Sequence, residues 1–350
     1  MKKLISIITI LIVCMSVAFL TNASHIYKNN NINLPDEAVF EKILSVDVGI
    51  GEEEIGYSPK LEGVTNEGPG SFAIDNMKNI YILDTLNKKI MVFNKGEFNY
   101  NINIDFTNYA RDILYNKGNL YILDESNYIY SIDLNGKIKN IYELPDDIKA
   151  FQVKRLSINN QGNIVVHLDG YEYNINENFK SKGYSFGQDS KLISKFIDDK
   201  HIKIIENINS KKDRELEIEL AENSGCVHII GMDKKGNIYV SVEEDIPDSP
   251  LVLVEHTIRK IDLQGKQIGF ARIPLEEYYN FPLRFANVTE NGEVYIMALK
   301  ENCVEIYKVI LGKTYKSKIE DLKEKAKKEK QRIQKEKEET ISIVNLKLKL

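Results

Sequence analysis

Short apolar runs of roughly four to eight residues, bounded by Gly, Asn or Asp, follow one another along the chain from Gly68 to Leu311. The clearest unit reads Gly68-Pro69-Gly70-Ser71-Phe72-Ala73-Ile74-Asp75, a turn, then Asn79-Ile80-Tyr81-Ile82-Leu83-Asp84. It continues as Lys88-Lys89-Ile90-Met91-Val92-Phe93-Asn94 and Lys95-Gly96-Glu97-Phe98. Such β-rich runs between turn residues predict a four-stranded antiparallel meander. The unit recurs over 110–124, 154–169, 227–242 and 284–299. Aligned on Tyr81, Tyr121, Val165, Tyr239 and Tyr295, the copies are spaced by 40, 44, 74 and 56 residues. The widest gap has room for a copy whose motif has decayed, assigned to Leu192–Ile197, His201–Ile208 and Glu215–Leu220. The expected fold is therefore all-β, a six-bladed β-propeller over residues 41–312, because one blade cannot cover both faces of its own sheet. The last copy supplies only Phe285–Thr289, Val294–Leu299 and Val304–Leu311. The lone strand Glu41–Val48 is predicted to complete that sheet and close the ring.

The two ends follow other patterns. Lys2 and Lys3 precede an apolar stretch from Leu4 to Leu20 and then Thr21-Asn22-Ala23. Residues 1–23 thus read as an export signal, with an uncleaved anchor over residues 4–20 as the competing reading and residues 24–40 as a linker. Both readings place the body outside the cytoplasm, secreted or extracytoplasmic. Residues 313–340 are dominated by Lys and Glu without Gly or Pro, which predicts a charged α-helix. Its apolar positions Tyr315, Ile319, Leu322, Ala326 and Ile333 make a broken stripe, so a solvated spacer is favoured over a coiled coil. Residues 341–350 alternate like a terminal strand.

Charge narrows the choice of partner. The chain carries −5 overall, but the basic tail and leader leave about −13 on residues 24–312, which argues against nucleic acid. Cys226 and Cys303 are the only cysteines after the leader. Their spacing suggests no disulfide framework, and free thiols are expected.

On these residues, Gly68–Phe98 resembles an NHL repeat, down to Asp84-x-x-Asn87 followed by a basic residue. Gly51–Tyr57 is similar to the lead-in of bacterial NHL-like and gluconolactonase-like propeller proteins. The resemblance covers one repeat well, four fairly and the fourth blade not at all. It implies a fold shared by lyases, lactonase relatives and binding platforms, so the site must decide function. The amidating-lyase branch implies pore histidines, yet the positions matching His228 are Gly70, Ala110, Lys154 and Arg284, and one imidazole makes no three-histidine zinc site. The gluconolactonase-like branch implies a divalent cation, for which Asp112 and Asn287 are the candidates. Lys154, His228 and Arg284 together suggest a cationic pore mouth for an anionic ligand. Asp75, Asp84, Asp124, Asp169 and Asp233 recur before turns and read as architectural.

The leading expectation is a non-catalytic binding module at the cell envelope, without a cofactor, engaging a protein, peptide or envelope component. Membrane contact is expected only through an uncleaved N-terminus. The alternative is a metal-dependent hydrolase or lyase with calcium or zinc in the central pore.

Overall fold

One turn recurs from blade to blade. Asp75 Oδ1 accepts the Met77 and Asn79 N–H groups at 2.8 Å each, and its Oδ2 accepts Asn79 Nδ2 at 2.7 Å and the Tyr81 hydroxyl at 3.1 Å. Asp233 makes the same set with Lys235, Asn237 and Tyr239. Asn159, Asp133 and Asp262 repeat its backbone half. The fourth turn residue adopts positive φ, which Gly236 reaches at +79° without a Cβ clash, whereas Lys78 holds +67° in the first copy. Asp84 and Asp124 likewise accept loop N–H groups, as an architectural role requires.

The computed structural model describes residues 34–58, 67–186, 190–208, 214–247, 249–251, 253–275, 278 and 282–347. The expected export signal, and most of the linker, lie outside these residues. Strand β1 (Val39–Asp47) precedes blade one, which comprises β2 (Ser71–Ile74), β3 (Ile80–Asp84), β4 (Lys89–Asn94) and β5 (Glu97–Asn103). Blade two holds β6 (Ala110–Asn116), β7 (Asn119–Asp124), β8 (Tyr128–Asp133) and β9 (Ile138–Glu143). Blade three holds β10 (Arg155–Ile158), β11 (Ile164–His167), β12 (Tyr171–Asn174) and β13 (Phe179–Lys182). Blade four is β14 (Tyr184–Ser185), β15 (Ser190–Phe196), β16 (His201–Ile208) and β17 (Arg214–Glu219). Blade five is β18 (Asn223–Met232), β19 (Ile238–Asp245), β20 (Val254–Ile261) and β21 (Gln267–Ile273). Blade six contributes β22 (Ala286–Val288), β23 (Val294–Leu299) and β24 (Cys303–Ile310).

The fold is a six-bladed β-propeller of four-stranded antiparallel sheets. β1 pairs antiparallel with β24, from Val39 opposite Ile310 to Asp47 opposite Cys303, and so completes blade six. The segment after β1 then clasps blade one: Lys89 Nζ donates to Gly51 O at 2.7 Å and Asn87 Nδ2 to Gly49 O at 2.9 Å. The decayed copy is the fourth blade. Its inner strand, the two residues Tyr184 and Ser185, is too short to leave a periodic trace.

Most seams between blades are apolar. Phe72, Ile80, Ile82 and Met91 meet Met297, Leu299, Val304 and Ile306 of blade six, while Tyr81, Leu83 and Val92 meet Ile113, Leu120 and Ile122 of blade two. Each such side chain contributes about 1.5–3 kcal/mol on burial. The seam between blades three and four is polar instead. Buried Glu172 accepts Ser185 N–H at 2.6 Å and Ser185 Oγ at 2.9 Å, and pairs with Lys191 at 2.7 Å. Ser157 Oγ donates to Ser185 O, and His167 stacks on Tyr184 with centroids 4.8 Å apart.

The tail departs from expectation at both ends. Helix α1 spans Ile319–Lys347, starting after residue 313 and running through the stretch where a strand was expected. With no Gly or Pro from Lys313 onward, nothing halts i→i−4 bonding once it starts, and a lone strand there would leave its own backbone groups unpaired. Residues 348–350 lie outside the described residues. The helix is also not wholly solvated: Ile319, Leu322 and Ala326 pack with Ile246 and Leu253 of blade five. Ser317 Oγ and Lys318 N–H donate to Glu255 just ahead of it.

Candidate functional site

The inner strands begin on one face of the ring, and a cavity of about 720 Å³ opens there. Lys154, His228 and Arg284 all line it, together with Arg155, Cys226 and Glu243. Their roles differ from the expected cationic mouth.

Arg284 is buried and committed. Its Nε donates to Asp112 Oδ1 at 2.8 Å, and its Nη2 to Asp112 Oδ2 at 2.5 Å and to Leu156 O at 2.7 Å. Asp112 also accepts Ser71 Oγ and the Leu156 N–H, so groups from blades one, two, three and six converge on one carboxylate. Burial pushes the Asp112 carboxyl up, but Arg284, Ser71 and the Leu156 N–H outweigh it and hold the group below the usual carboxylate range. The expectation of Arg284 as an anion receptor is corrected, because its fork is spent on Asp112. The metal candidates fare no better. Both Asp112 oxygens are occupied, and Asn287 ties blade six to blade one through Nδ2 and Phe72 O at 2.8 Å. Among the described residues, no three His, Cys, Asp or Glu side chains gather as a metal site would require.

Arg155, one residue beyond Lys154, takes the place expected of Arg284. It opens β10, donates Nη1 to Ile230 O at 2.7 Å, and lays its guanidinium over the Phe186 ring at 5.5 Å. Its Nε is buried without a hydrogen-bond partner among the described residues. Burial, with Arg284 adding repulsion, pulls its pKa down to about 9. The alignment signal was present but fell one residue short, and a one-residue shift on a strand changes the face. Lys154 itself is exposed at the rim.

Blade five supplies the opposite wall. In register, Cys226 faces Glu243, His228 faces Ser241, and Glu243 faces His256, which puts these five side chains on one face of the sheet. Cys226 Sγ and His228 Nε2 share a hydrogen bond of 2.9 Å. Burial and Glu243 raise the thiol pKa, while burial, Lys154 and Arg155 lower that of the imidazole. Both shifts favour the neutral pair over thiolate and imidazolium, so Cys226 is a poor nucleophile. Ser241 Oγ and His256 Nε2 share a bond of 2.6 Å, but burial drives the His256 pKa down to about 3, too low for an effective general base. Sequence spacing could not have exposed this face, because it depends on the pairing of three strands. Asp169 lies in the turn between β11 and β12, as expected, and stands exposed at the cavity rim.

No protein-family model matches the chain, and no curated protein matches its sequence. Solved structures do. A streptogramin B lyase is 12% identical over 78% of this chain and 98% of its own, with a TM-score of 0.42. Virginiamycin B lyase from Staphylococcus aureus is 11% identical over 79% and 100%, with a TM-score of 0.41. BamB from Moraxella catarrhalis is 10% identical over 77% and 97%, with a TM-score of 0.36. At these identities the likeness extends to the fold alone.

Proposed function

We propose that this chain is a non-catalytic propeller that works outside the cytoplasm as a binding module, taking a group of a protein, peptide or envelope component into its channel cavity. The observation that carries this reading is the chemistry of the cavity wall: a large recess beside Cys226, His228, Ser241 and His256, whose nucleophile and base candidates are all biased towards inert neutral forms. A recess of about 720 Å³ is ample for a side chain or small ligand. The N-terminal pattern of Lys2, Lys3 and Leu4–Leu20 supports export, and the NHL-like repeat supports a platform role. The experiment uses the intact chain and a His228→Trp variant that fills the cavity, each incubated with envelope extract. A bound species recovered by the parent and lost by the variant is the expected result. Equal capture by both, calcium or zinc retained at one per chain, or recovery of the protein in the cytosol would overturn the reading.

A further inference from the structure

The buried end of the cavity is out of charge balance. Two guanidiniums, Arg155 and Arg284, lie there with one carboxylate among the described residues, Asp112, and Arg284 engages both of its oxygens. Among the described residues no carboxylate bonds Arg155; its guanidinium meets a carbonyl, a ring face and, at longer range, the charge of Asp112 that Arg284 already engages. A half-buried cation of this kind is favourable only when an anion or solvent reaches it, and a planar fork matches a carboxylate or phosphate better than it matches water. Lys154 and His228 stand beside it on the same cavity. Two acids also line the wall and oppose an anion. Asp169 is exposed at the rim, while the Glu243 carboxyl is pushed up by burial and by Asp245. Apolar side chains share the lining: Phe196 and Leu283 remain 59% and 41% exposed, and Pro282 is buried.

We infer that the cavity is a receptor site for a small organic oxyanion with an apolar body, its head received by Arg155 with Lys154 and His228 alongside and its body lying against Phe196 and Leu283. This assignment rests on the binding-module reading and names the class of group that the module takes. A carboxylate head and a phosphate head share the chemistry, and the apolar wall favours the ligand that carries a hydrocarbon body.

The test is calorimetry on the full chain with hexanoate, inorganic phosphate, hexanamide and hexylammonium as probes. Hexanoate is expected to bind, phosphate more weakly, and the neutral and cationic probes at least tenfold more weakly than hexanoate. Arg155→Gln should weaken hexanoate at least tenfold, and Lys154→Ala several-fold. No hexanoate binding by the parent, or full affinity in Arg155→Gln, overturns the assignment, and phosphate binding tighter than hexanoate overturns the apolar half of it. A second measurement needs no variant. Hexanoate should slow alkylation of Cys226 in the parent while leaving Cys303 unchanged, and an unaltered Cys226 rate overturns the proposal even where Arg155→Gln fails to fold. Hexanamide bound as tightly as hexanoate sinks the anion assignment but leaves the binding module standing. Equal envelope capture by parent and His228→Trp, with hexanoate binding intact in the parent, does the reverse.

Discussion

Blades one and four sit on opposite sides of the same channel and are held by different forces. Blade one is apolar towards both neighbours, with all five residues of β3 buried, and its inner strand is pinned through Ser71 to the Asp112–Arg284 pair. Blade four is apolar towards blade five only; towards blade three it offers Ser185, Tyr184 and Lys191 to a buried carboxylate, a histidine and a serine. Apolar seams repeat because any well-sized Ile, Leu or Val fills them, whereas a polar seam is one particular set of bonds. The recess therefore opens beside the polar seam, where His167, Tyr184 and Phe196 line it.

The sharpest way to break this comparison is to apply one substitution on each side. Arg284→Met should cost about 3–5 kcal/mol, because Asp112 is left charged and buried without its partner. The loss would register as a lower midpoint in urea unfolding. Arg155→Met, which removes a cation that no carboxylate among the described residues bonds, should change stability by less than about 1 kcal/mol in either direction. Equal losses from both would mean that Arg155 is a structural residue after all.

Acid should separate the two sides next. Burial and Arg155 hold the His167 imidazole well below its ordinary value, and burial holds His256 at about 3. A depressed histidine contributes stability fully present above its unfolded value of about 6.5 and lost as pH falls towards the folded value, at up to roughly 1.4 kcal/mol per pH unit. Blade one contains no histidine. Hydrogen exchange between pH 7 and pH 5 should therefore show amides at the seam of blades three and four, beside His167, and in blade five, which carries His256, losing protection before those of β3 and β4. Simultaneous loss would mean that the seams are equally tolerant of acid. Ser71→Ala should cost about 1–2 kcal/mol, because it removes the bond to Asp112, which keeps its others, and the acceptor of the buried Ile113 N–H. Cys226→Ala, across the open cavity, should be near neutral.

Blade count, strand order and the closing role of β1 were legible in the sequence because they depend on local signals. Turn residues such as Asp75, Asn79 and Asp233 fix each hairpin, and apolar runs such as Ile80–Leu83 mark strands buried on both faces. The inner strand of blade four was not legible, since two residues carry no period and its contacts are hydrogen bonds. The tail helix was anticipated, but its true end was not, as alternation over 341–347 competes with helix propagation and only the latter pairs the backbone. For the site, the sequence determined that Lys154, His228 and Arg284 would fall at matching places on separate blades, and they do share one cavity. Tertiary structure alone decided which cation is spent. Asp112 lies 172 residues from Arg284, and no repeat spacing reveals that the two meet while, among the described residues, no carboxylate bonds the neighbour of Lys154. Repeats place residues by local geometry; charge compensation is settled between side chains that only the closed ring brings within bonding distance.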